Sequence, residues 1–351
     1  MTENLALELV RIYAQAERDM LSRISNKLKR DTSLSISQWE QKKTAELREL
    51  KNGVKMHIVD KLKNVDEKEV KKIIEKATKR GADSAVADLR KALPEDEIPV
   101  KHGLNQANRR AIETHAKALK DKLDSTHLRI MRTTDDVYKK AVNRGVEYAL
   151  TGSGTRREGA QKALNQLANR GVTGFQDSAG RSWNLSSYCE MATRTQTANA
   201  SREAHMQRVQ ENGRDLVVVS SHAESCEICD PWEGQVLSIS GDDDRYPSVD
   251  EAVSEGLHHP NCGHHLTAYI EGLTEPPEPI EGEENYEDRQ EQRYLERGVR
   301  KWKRRKAGAV TEKEERKAQA KVSEWQGRLR DFEEETGRKR RYEREQIEQA
   351  R

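Results

Sequence analysis

The sequence predicts a mainly α protein, an elongated helical assembly with a small β-containing domain near residues 172–272. The first observation is composition. Of the 351 residues, 34% are hydrophobic and 35% are charged, which disfavours one large globular core and favours long, solvent-exposed helices. The second is proline, which breaks helix interiors and is absent from residues 1–93, 101–230 and 280–351. The third is that the convincing strand patterns cluster within residues 215–270.

Apolar residues three or four positions apart predict helices in the amino-terminal part of the chain. One such stripe runs through residues 3–29. Residues 37–40 have the pattern of a capping box that begins a second helix. Residues 66–69 are expected to cap a third helix, which runs to about Lys91. The segment 93–99 contains two prolines and is predicted to be a linker.

The helical pattern continues from about Asn105 to Leu150. This length is unusual for a globular helix, so a bend or break is expected near Thr133 and Thr134. A short helix is predicted over residues 156–170.

Two short extended pieces are predicted within residues 172–183. Asp177 and Gly180 mark a tight turn between them. A helix is then expected from about Leu185 to Asn212.

Three further segments are predicted to be short strands. Residues 215–221 are a β-branched apolar run, residues 234–241 alternate between apolar and polar, and residues 266–270 form the third. A sheet this small buries little apolar area, so a bound metal could supply the missing stability.

A group of possible metal ligands lies between these strands. Three of the four cysteines and five of the ten histidines fall within residues 222–265. Cys226 and Cys229 form a Cys-x-x-Cys pair, whose two thiolates can bind one ion. Cys262 follows, with His259 and His264 close to it. Because zinc prefers sulfur and imidazole donors, we predict a structural zinc bound by the three cysteines and one of these two histidines; the spacing does not choose between them.

Two other interpretations of the cysteines stay open. They could be buried reduced thiols, or a redox pair or disulfide. Their clustering with histidines favours ligation over a disulfide framework, and their small number favours a reducing compartment. The sequence has no apolar run near twenty residues and no signal-peptide pattern, so it supports neither a membrane span nor export.

Charge is strongly divided near the carboxy terminus, although the formal net charge is only +2. After a proline-rich linker at residues 274–279, residues 275–291 carry eight acids and one base, and residues 297–306 carry seven bases and no acids. Charge runs are usually solvated helix faces, but bases interleaved with aromatics can also bind phosphates and stack on nucleobases. The basic residues that could contact DNA are Lys301, Lys303, Arg304, Arg305, Arg338, Arg340 and Arg341.

These features divide the chain into four predicted parts. Residues 1–98 form an amino-terminal helical region, and residues 99–171 hold the long helix and a short one. Residues 172–272 form a small α+β domain with the zinc knuckle. Residues 273–351 form the acidic linker and the charged carboxy-terminal helices.

Three blocks of residues carry a resemblance to a known family. The first block is Gly180-Arg-Ser-Trp183 with Tyr188, Glu190, Met191, Arg194 and Thr195. The second runs from Ser221-His-Ala through Cys226 and Cys229 to Trp232, Gly234 and Val236. The third runs from Tyr246-Pro247 through Gly256-Leu257 to His259-Pro-Asn-Cys262-Gly-His264. Together with Ile12, Tyr13, Glu17 and Trp39, they resemble the phage minor capsid protein 2 family, a relative of phage head morphogenesis proteins. The resemblance covers about residues 1–272.

The resemblance implies a virion protein inside the head near the portal, present in a few copies and associated with assembly and packaged DNA. The implied partners are the portal protein and the major capsid protein, with no membrane contact and with the host cytoplasm as the place of assembly. The resemblance also implies that the cysteine–histidine block is structural and not catalytic. Members of the family commonly carry a basic residue where this chain has Gly263, so any contact made by that side chain is absent here.

Two other functions stay open from the sequence. The first is a zinc enzyme acting on nucleic acid, since His222 and Glu224 resemble the H-x-E of zinc deaminases. Only one residue separates Glu224 from Cys226, however, and three cysteines with a histidine leave no open position for water. A nuclease similar to the His-Asn-His class would need a catalytic histidine, for which His205 and His222 are candidates. The second is a DNA-binding or regulatory module built on the basic carboxy-terminal helices.

Overall fold

The structure is a computed structural model. It describes residues 3–94, 103–170, 175–176, 182–223, 225–260, 262–278, 280 and 283–347. The described chain is mainly helical and contains a small antiparallel sheet, which confirms the predicted class. None of the described helices combines the length and apolar character needed to cross a membrane.

The helices follow the predicted order along the chain, except that the sequence analysis did not predict α7 (Val249–Ser254). They are α1 (Glu3–Lys29), α2 (Ile36–Val54), α3 (Asp60–Ala92), α4 (Gln106–Leu150), α5 (Arg156–Arg170), α6 (Leu185–Glu211), α7 (Val249–Ser254), α8 (Glu283–Ala307) and α9 (Glu312–Thr336). The strands are β1 (Phe175–Gln176), β2 (Ser182–Trp183), β3 (Leu216–Val219), β4 (Val236–Ser238) and β5 (Leu266–Ala268). Short 3₁₀ turns cover Asp230–Trp232 and Tyr342–Glu345.

Strand β3 is the centre of a three-stranded antiparallel sheet in the order β4-β3-β5. Val217 lies opposite Leu237 on one side and Ala268 on the other. The three strands predicted around the cysteine segment are therefore confirmed. The two predicted extended pieces contain β1 and β2, which pair antiparallel. The turn expected at Asp177 and Gly180 lies outside the described residues, as does most of the linker at residues 93–99.

The predicted start of the second helix is wrong by two residues. Ser35 is the N-cap of α2, with its hydroxyl accepting from the backbone N–H of Gln38, and the Gln38 side chain completes the capping box. Glutamine at the third helical position serves a capping box as well as glutamate does. The box predicted at Ser37 and Glu40 therefore falls inside the first turn.

Two other predicted helix boundaries are also wrong. Asp66 does not cap a helix, because a π-helical turn, Lys55–Val59, joins α2 to α3 and the helix continues through Asp66. The break expected near Thr134 does not occur either, because α4 runs without interruption from Gln106 to Leu150. The alternative, a bend at this place, stays a prediction. The Thr134 hydroxyl donates to the carbonyl of Ile130 at 2.7 Å, a bond that often accompanies a bend in a helix.

The chain forms two compact units, each assembled from three segments. One unit consists of Met1–Ala6, Lys68–Asp121 and Met191–Gln290. We call it the sheet unit. The other consists of Leu7–Glu67, Lys122–Glu190 and Glu291–Arg351, and we call it the bundle unit. The four-part division of the sequence stays a prediction.

Each unit has its own apolar core. In the sheet unit, Leu89 of α3 and Val209 of α6 pack with Val217 and Leu237 of the sheet, all fully buried. Burial of each such side chain contributes about 1.5–3 kcal/mol. These contacts position the loops that carry the cysteines, because the loops leave the ends of strands that are held against the helices.

Asp31, between α1 and α2, is expected to make the stability of the bundle unit depend on pH. Its two carboxylate oxygens each lie 2.6 Å from a lysine Nζ, one of Lys42 and one of Lys43. Hydrogen bonds from these lysines lower the pKa of Asp31 from 3.8 to about 2. The folded pKa is depressed, so this stabilisation is present above about pH 4 and is lost as the pH falls toward about 2.

Asp31→Asn should therefore flatten the acid side of the stability profile, as measured by urea unfolding between about pH 5 and pH 2. Asparagine also tolerates the left-handed backbone that Asp31 adopts, with φ of 63°. An acid profile that keeps its slope in this variant would show that the ion pairs do not control it.

Candidate metal centre

Pairing of β3 with β5 brings the two cysteine loops together. One loop follows β3 and the other precedes β5. Val219, where the first loop begins, lies opposite Leu266, where the second loop ends. The first loop turns sharply, with the N–H of Cys229 donating to the carbonyl of Cys226 at 2.9 Å. The second makes a similar turn from His259 to Cys262, also at 2.9 Å. Both turns therefore lie at the same end of the sheet.

The side chains of these turns meet in the sheet unit. The Sγ of Cys226 lies 3.1 Å from Nε2 of His259, and the Sγ atoms of Cys229 and Cys262 are 3.7 Å apart. The Sγ of Cys262 is also 3.3 Å from Nδ1 of His264. The structure thus brings together all five residues that the sequence singled out.

Two overlapping groups of three that include cysteines have the spacing to hold a metal ion. In each group, one donor atom per residue lies within 4.8 Å of the other two. The first group is Cys226, Cys229 and His259, and the second is Cys229, Cys262 and His264. Cys229 is common to both and is fully buried, so it is the central donor.

The observed distances fit a tetrahedral zinc ion. With Zn–S bonds of about 2.3 Å and Zn–N bonds of about 2.0 Å, two sulfurs lie about 3.8 Å apart and a sulfur and a nitrogen about 3.5 Å. The 3.7 Å between Cys229 and Cys262 agrees with the first value. The 3.1 and 3.3 Å contacts with His259 and His264 are slightly shorter than the second. Neither group contains both Cys226 and Cys262, so binding of all three thiols to one ion would also require the two loops to move closer together.

Each histidine also has its second ring nitrogen held by an acceptor. Nδ1 of His259 donates to the carbonyl of Pro260 at 3.0 Å, and Nε2 of His264 donates to the Glu233 carboxylate at 2.7 Å. Metal-bound histidines almost always make such a second bond, which orients the ring and fixes its tautomer. Both histidines satisfy this criterion, so it does not choose between them.

Glu233 supports the site, and the sequence analysis did not identify it. Its carboxylate accepts from the Ser221 hydroxyl at 2.7 Å and from the backbone N–H of His222 at 3.1 Å, besides the bond to His264. Burial alone would raise its pKa, but these hydrogen bonds hold the pKa of Glu233 below the usual value. A buried, ionised carboxylate beside an imidazole raises the basicity of that ligand. No local pattern around Glu233 signals this contact.

The pKa values of the two closest thiols, Cys229 and Cys262, are shifted in opposite directions. The bond between them and burial raise the pKa of Cys229, while the bond from Cys229 lowers the pKa of Cys262 far below that of a free thiol. The pair thus holds one proton between two sulfurs. The pKa of His264 is raised: burial by itself lowers it, but bonds to Cys262 and Glu233 outweigh that effect. Binding of a metal would displace the shared proton.

His258 and Arg202 also border the site. Nδ1 of His258 lies 3.9 Å from Sγ of Cys262, and His258 adopts a left-handed backbone with φ of 62°. Among the described residues, its buried Nε2 has no hydrogen-bond partner. Burial lowers the pKa of Arg202 to about 10, partly offset by the charge of Cys262. A guanidinium here would balance negative charge on a trithiolate site.

One residue of the two enzyme hypotheses, His222, lies at the cysteine cluster. With Glu233 and His264 it forms a third group of three donors with the spacing to hold a metal ion. The His222 ring stacks on His264, with centroids 4.2 Å apart. A Cβ at position 263 would lie 2.9 Å from Nε2 of His222, so Gly263 leaves room for this stacking. Nε2 of His205 lies 2.8 Å from the carboxylate of Asp88. Glu224 lies outside the described residues.

A comparison with known protein families assigns the chain to one of them. The model of the family described as "Phage minor capsid protein 2" matches residues 1–334. This chain belongs to the phage minor capsid protein 2 family. It is also similar to a "Structural protein" of Lactococcus phage LL-H, with 28% identity over 186 residues. That similarity spans 49% of this chain and 50% of the relative. No solved structure matches the chain.

In this member of the phage minor capsid protein 2 family, five of the seven basic residues that could contact DNA make contacts within the bundle unit. Arg304 is buried and the other six are half-buried. Lys303 donates to Gln346 at 2.9 Å, and Arg338 donates to Gln292 at 3.1 Å. Internal ion pairs hold three others: Arg304 with Glu17, Arg305 with Glu314, and Arg340 with Glu345. DNA contact by these residues stays a prediction.

Proposed function

We propose that this protein is a structural component of the phage head, with one zinc ion that holds the two cysteine loops of the sheet unit together. The ligands are Cys226, Cys229, Cys262 and either His259 or His264. The family match supports the structural role. The observation that carries the zinc proposal is that Cys229 belongs to two overlapping groups of donors, one with Cys226 and His259 and one with Cys262 and His264, each with the spacing to hold a metal ion.

The physical role of the ion is to stabilise a small sheet. The strands β3, β4 and β5 contain only three or four residues each, so their ladders and apolar faces contribute little stability. A metal that joins the loop after β3 to the loop before β5 cross-links these two strands at the end of the sheet where the cysteine turns lie. The loops could then present a rigid surface to another virion protein.

We propose a structural rather than a catalytic role for this ion. Three thiolates and an imidazole complete a tetrahedral sphere, whereas catalytic zinc sites keep one position for water or substrate. Glu224→Gln is therefore expected to leave virion assembly and zinc content unchanged. If the wild type deaminates or cleaves nucleic acid and Glu224→Gln abolishes this activity, the result would instead support the hypothesis of a zinc enzyme.

The proposal also includes a place in the particle. The protein lies inside the head near the portal, in several copies, with the portal protein and the major capsid protein as partners. Assembly takes place in the host cytoplasm. Cross-linking of intact particles followed by mass spectrometry tests this, because cross-links to the portal protein are expected. Cross-links confined to tail or outer-surface proteins would contradict the interior position.

Cobalt replacement is expected to show the sulfur ligands directly. Full-length protein freed of zinc and loaded with Co²⁺ should show the intense near-ultraviolet absorption of thiolate-to-cobalt charge transfer. Cys226→Ser and Cys262→Ser should each lower this absorption by about a third, because each removes one of three thiolates. Of the variants His259→Asn and His264→Asn, the one that changes the visible absorption of tetrahedral cobalt more strongly identifies the fourth ligand.

Cys189→Ser is the matched control for the cobalt experiment. Cys189 is a fully buried thiol of α6 and is not among the proposed ligands. Its replacement should leave the charge-transfer absorption unchanged. Wild-type protein that takes up cobalt without any thiolate absorption would disprove the zinc knuckle.

A further inference from the structure

A second group of polar side chains is buried in the bundle unit. Tyr13 comes from α1, Asp66 from α3, and Asp124 and His127 from α4. Asp124 and His127 are three residues apart, so they lie on one face of their helix, one turn from each other. Tyr13, Asp66 and His127 are almost completely buried, and the Asp124 side chain is 39% exposed. The group therefore has one side open to solvent.

Tyr13 holds the inner side of this group in place. Its hydroxyl donates to Oδ2 of Asp66 at 2.7 Å and lies 3.1 Å from Nε2 of His127. The same His127 nitrogen is 3.2 Å from Oδ2 of Asp66. Burial, helped by Cys189 and Asp66, raises the pKa of Tyr13 well above its ordinary value. Tyr13 is therefore a neutral phenol and a hydrogen-bond donor.

On the other side of the group, two buried polar atoms lack hydrogen bonds to any described residue. Within the described part of the chain, neither Oδ1 of Asp66 nor Nδ1 of His127 has a hydrogen-bond partner, although both atoms are buried. Nδ1 of His127 does lie 3.4 Å from Oδ1 of Asp124. Buried polar atoms of this kind are rare in native proteins and require an explanation. A histidine–carboxylate pair by itself leaves the second oxygen of Asp66 unexplained.

We propose that Asp66, Asp124 and His127 bind a divalent transition-metal ion such as Mn²⁺ or Zn²⁺. One donor atom from each residue lies within 4.8 Å of the other two. Two carboxylates and one imidazole are the donor set that suits these ions. Water reaching the group past Asp124 completes the coordination. The ion satisfies the buried atoms that the protein leaves unpaired.

This ion joins two helices of the bundle unit. Asp66 belongs to α3 and the other two ligands to α4, so the metal cross-links these helices. Tyr13 acts on the ion through Asp66 and His127 and is a positioning residue, since outer partners of this kind orient the ligands. The site is separate from the cysteine cluster and does not depend on the proposed zinc knuckle.

Manganese binding tests this site without interference from the thiols. Mn²⁺ prefers oxygen and nitrogen ligands, whereas the cysteine cluster favours softer ions. Full-length protein is first treated with a chelator and then titrated with Mn²⁺. Binding should reduce the electron paramagnetic resonance signal of the free ion, and the titration should give one strong site per chain. A Cys226→Ser/Cys229→Ser variant that remains folded should bind Mn²⁺ in the same way.

Substitutions in the group should weaken manganese binding selectively. Asp124→Asn and His127→Gln should each raise the Kd by at least about tenfold, and Tyr13→Phe by about tenfold. Asp124 is partly exposed, so its replacement should leave the fold intact even if the others do not. The exposed Asp136 of α4 provides the matched control, because Asp136→Asn should leave the Kd unchanged.

Binding should also be visible in thermal stability. Mn²⁺ that binds only the folded state raises the melting temperature of the wild type, and this increase should be absent in Asp124→Asn. The proposal is wrong if folded wild type binds no Mn²⁺ or Zn²⁺ outside the cysteine cluster. It is also wrong if Asp124→Asn binds Mn²⁺ as tightly as Asp136→Asn does.

Discussion

Cys229→Ser is expected to produce the largest loss of stability among single substitutions at the cysteine cluster. Cys229 is fully buried and belongs to both groups of possible ligands. Structural zinc contributes on the order of 10 kcal/mol to the folding of isolated zinc peptides. Packing of the sheet on helices supplies part of the stability here, so we expect a loss of about 5 kcal/mol in the free energy of unfolding. Urea unfolding followed by circular dichroism measures it.

The same experiment has two controls. Cys189→Ser also changes a buried thiol to a hydroxyl, but without loss of metal, so it should cost only about 1–3 kcal/mol. A chelator should destabilise the wild type and leave Cys229→Ser unchanged. If Cys229→Ser costs no more than Cys189→Ser, and the chelator has no effect on the wild type, the loops are held by packing alone.

Gly81→Ala is expected to destabilise the sheet unit strongly, although alanine is the better helix former. Gly81 lies in α3 against α6, and a Cβ at this position would overlap the backbone carbonyl oxygen of Ser201. Backbone atoms cannot move aside as a flexible side chain can, so the two helices would have to separate. We expect a loss of about 3 kcal/mol or more, which outweighs the gain of about 1 kcal/mol in helix propensity.

Gly53→Ala provides the opposite result for comparison. Gly53 is also a helical glycine, in α2, and the nearest atom to an added Cβ is the end of the flexible Arg23 side chain at 3.4 Å. This substitution should stabilise the protein by about 0.5–1 kcal/mol through helix propensity. Thermal unfolding of both variants distinguishes them. Equal effects at the two positions would mean that α3 and α6 do not approach closely at Gly81.

Features of the structure that depend on residues close together in the sequence were predicted well. The periodicity of apolar residues predicted α1 close to its observed bounds, because a helix needs only a regular stripe and no interruption. The Cys226–Cys229 spacing implied that the two thiols could bind one ion, and in the structure these residues lie in one turn, which a backbone hydrogen bond closes. Short strands were found for the same reason, since β-branched runs favour extended backbone.

Features that depend on distant residues were missed or misplaced. Asp66 has the local pattern of a helix cap, but Tyr13 and His127 surround it in the folded chain. Glu233 has no local pattern at all, and its role comes from contacts with Ser221 and His264. Local periodicity carries no information about such contacts.

The sequence by itself therefore determined the helical class, the small sheet, the three thiols at ligand spacing and the resemblance to phage minor capsid proteins. Only the tertiary structure decided that both His259 and His264 face a sulfur, that Glu233 supports one of them, and that Asp66 meets His127. The physical reason is that helices and turns form from interactions between near neighbours. A binding site is built from residues far apart in the chain, and it exists only after the elements that carry them have packed.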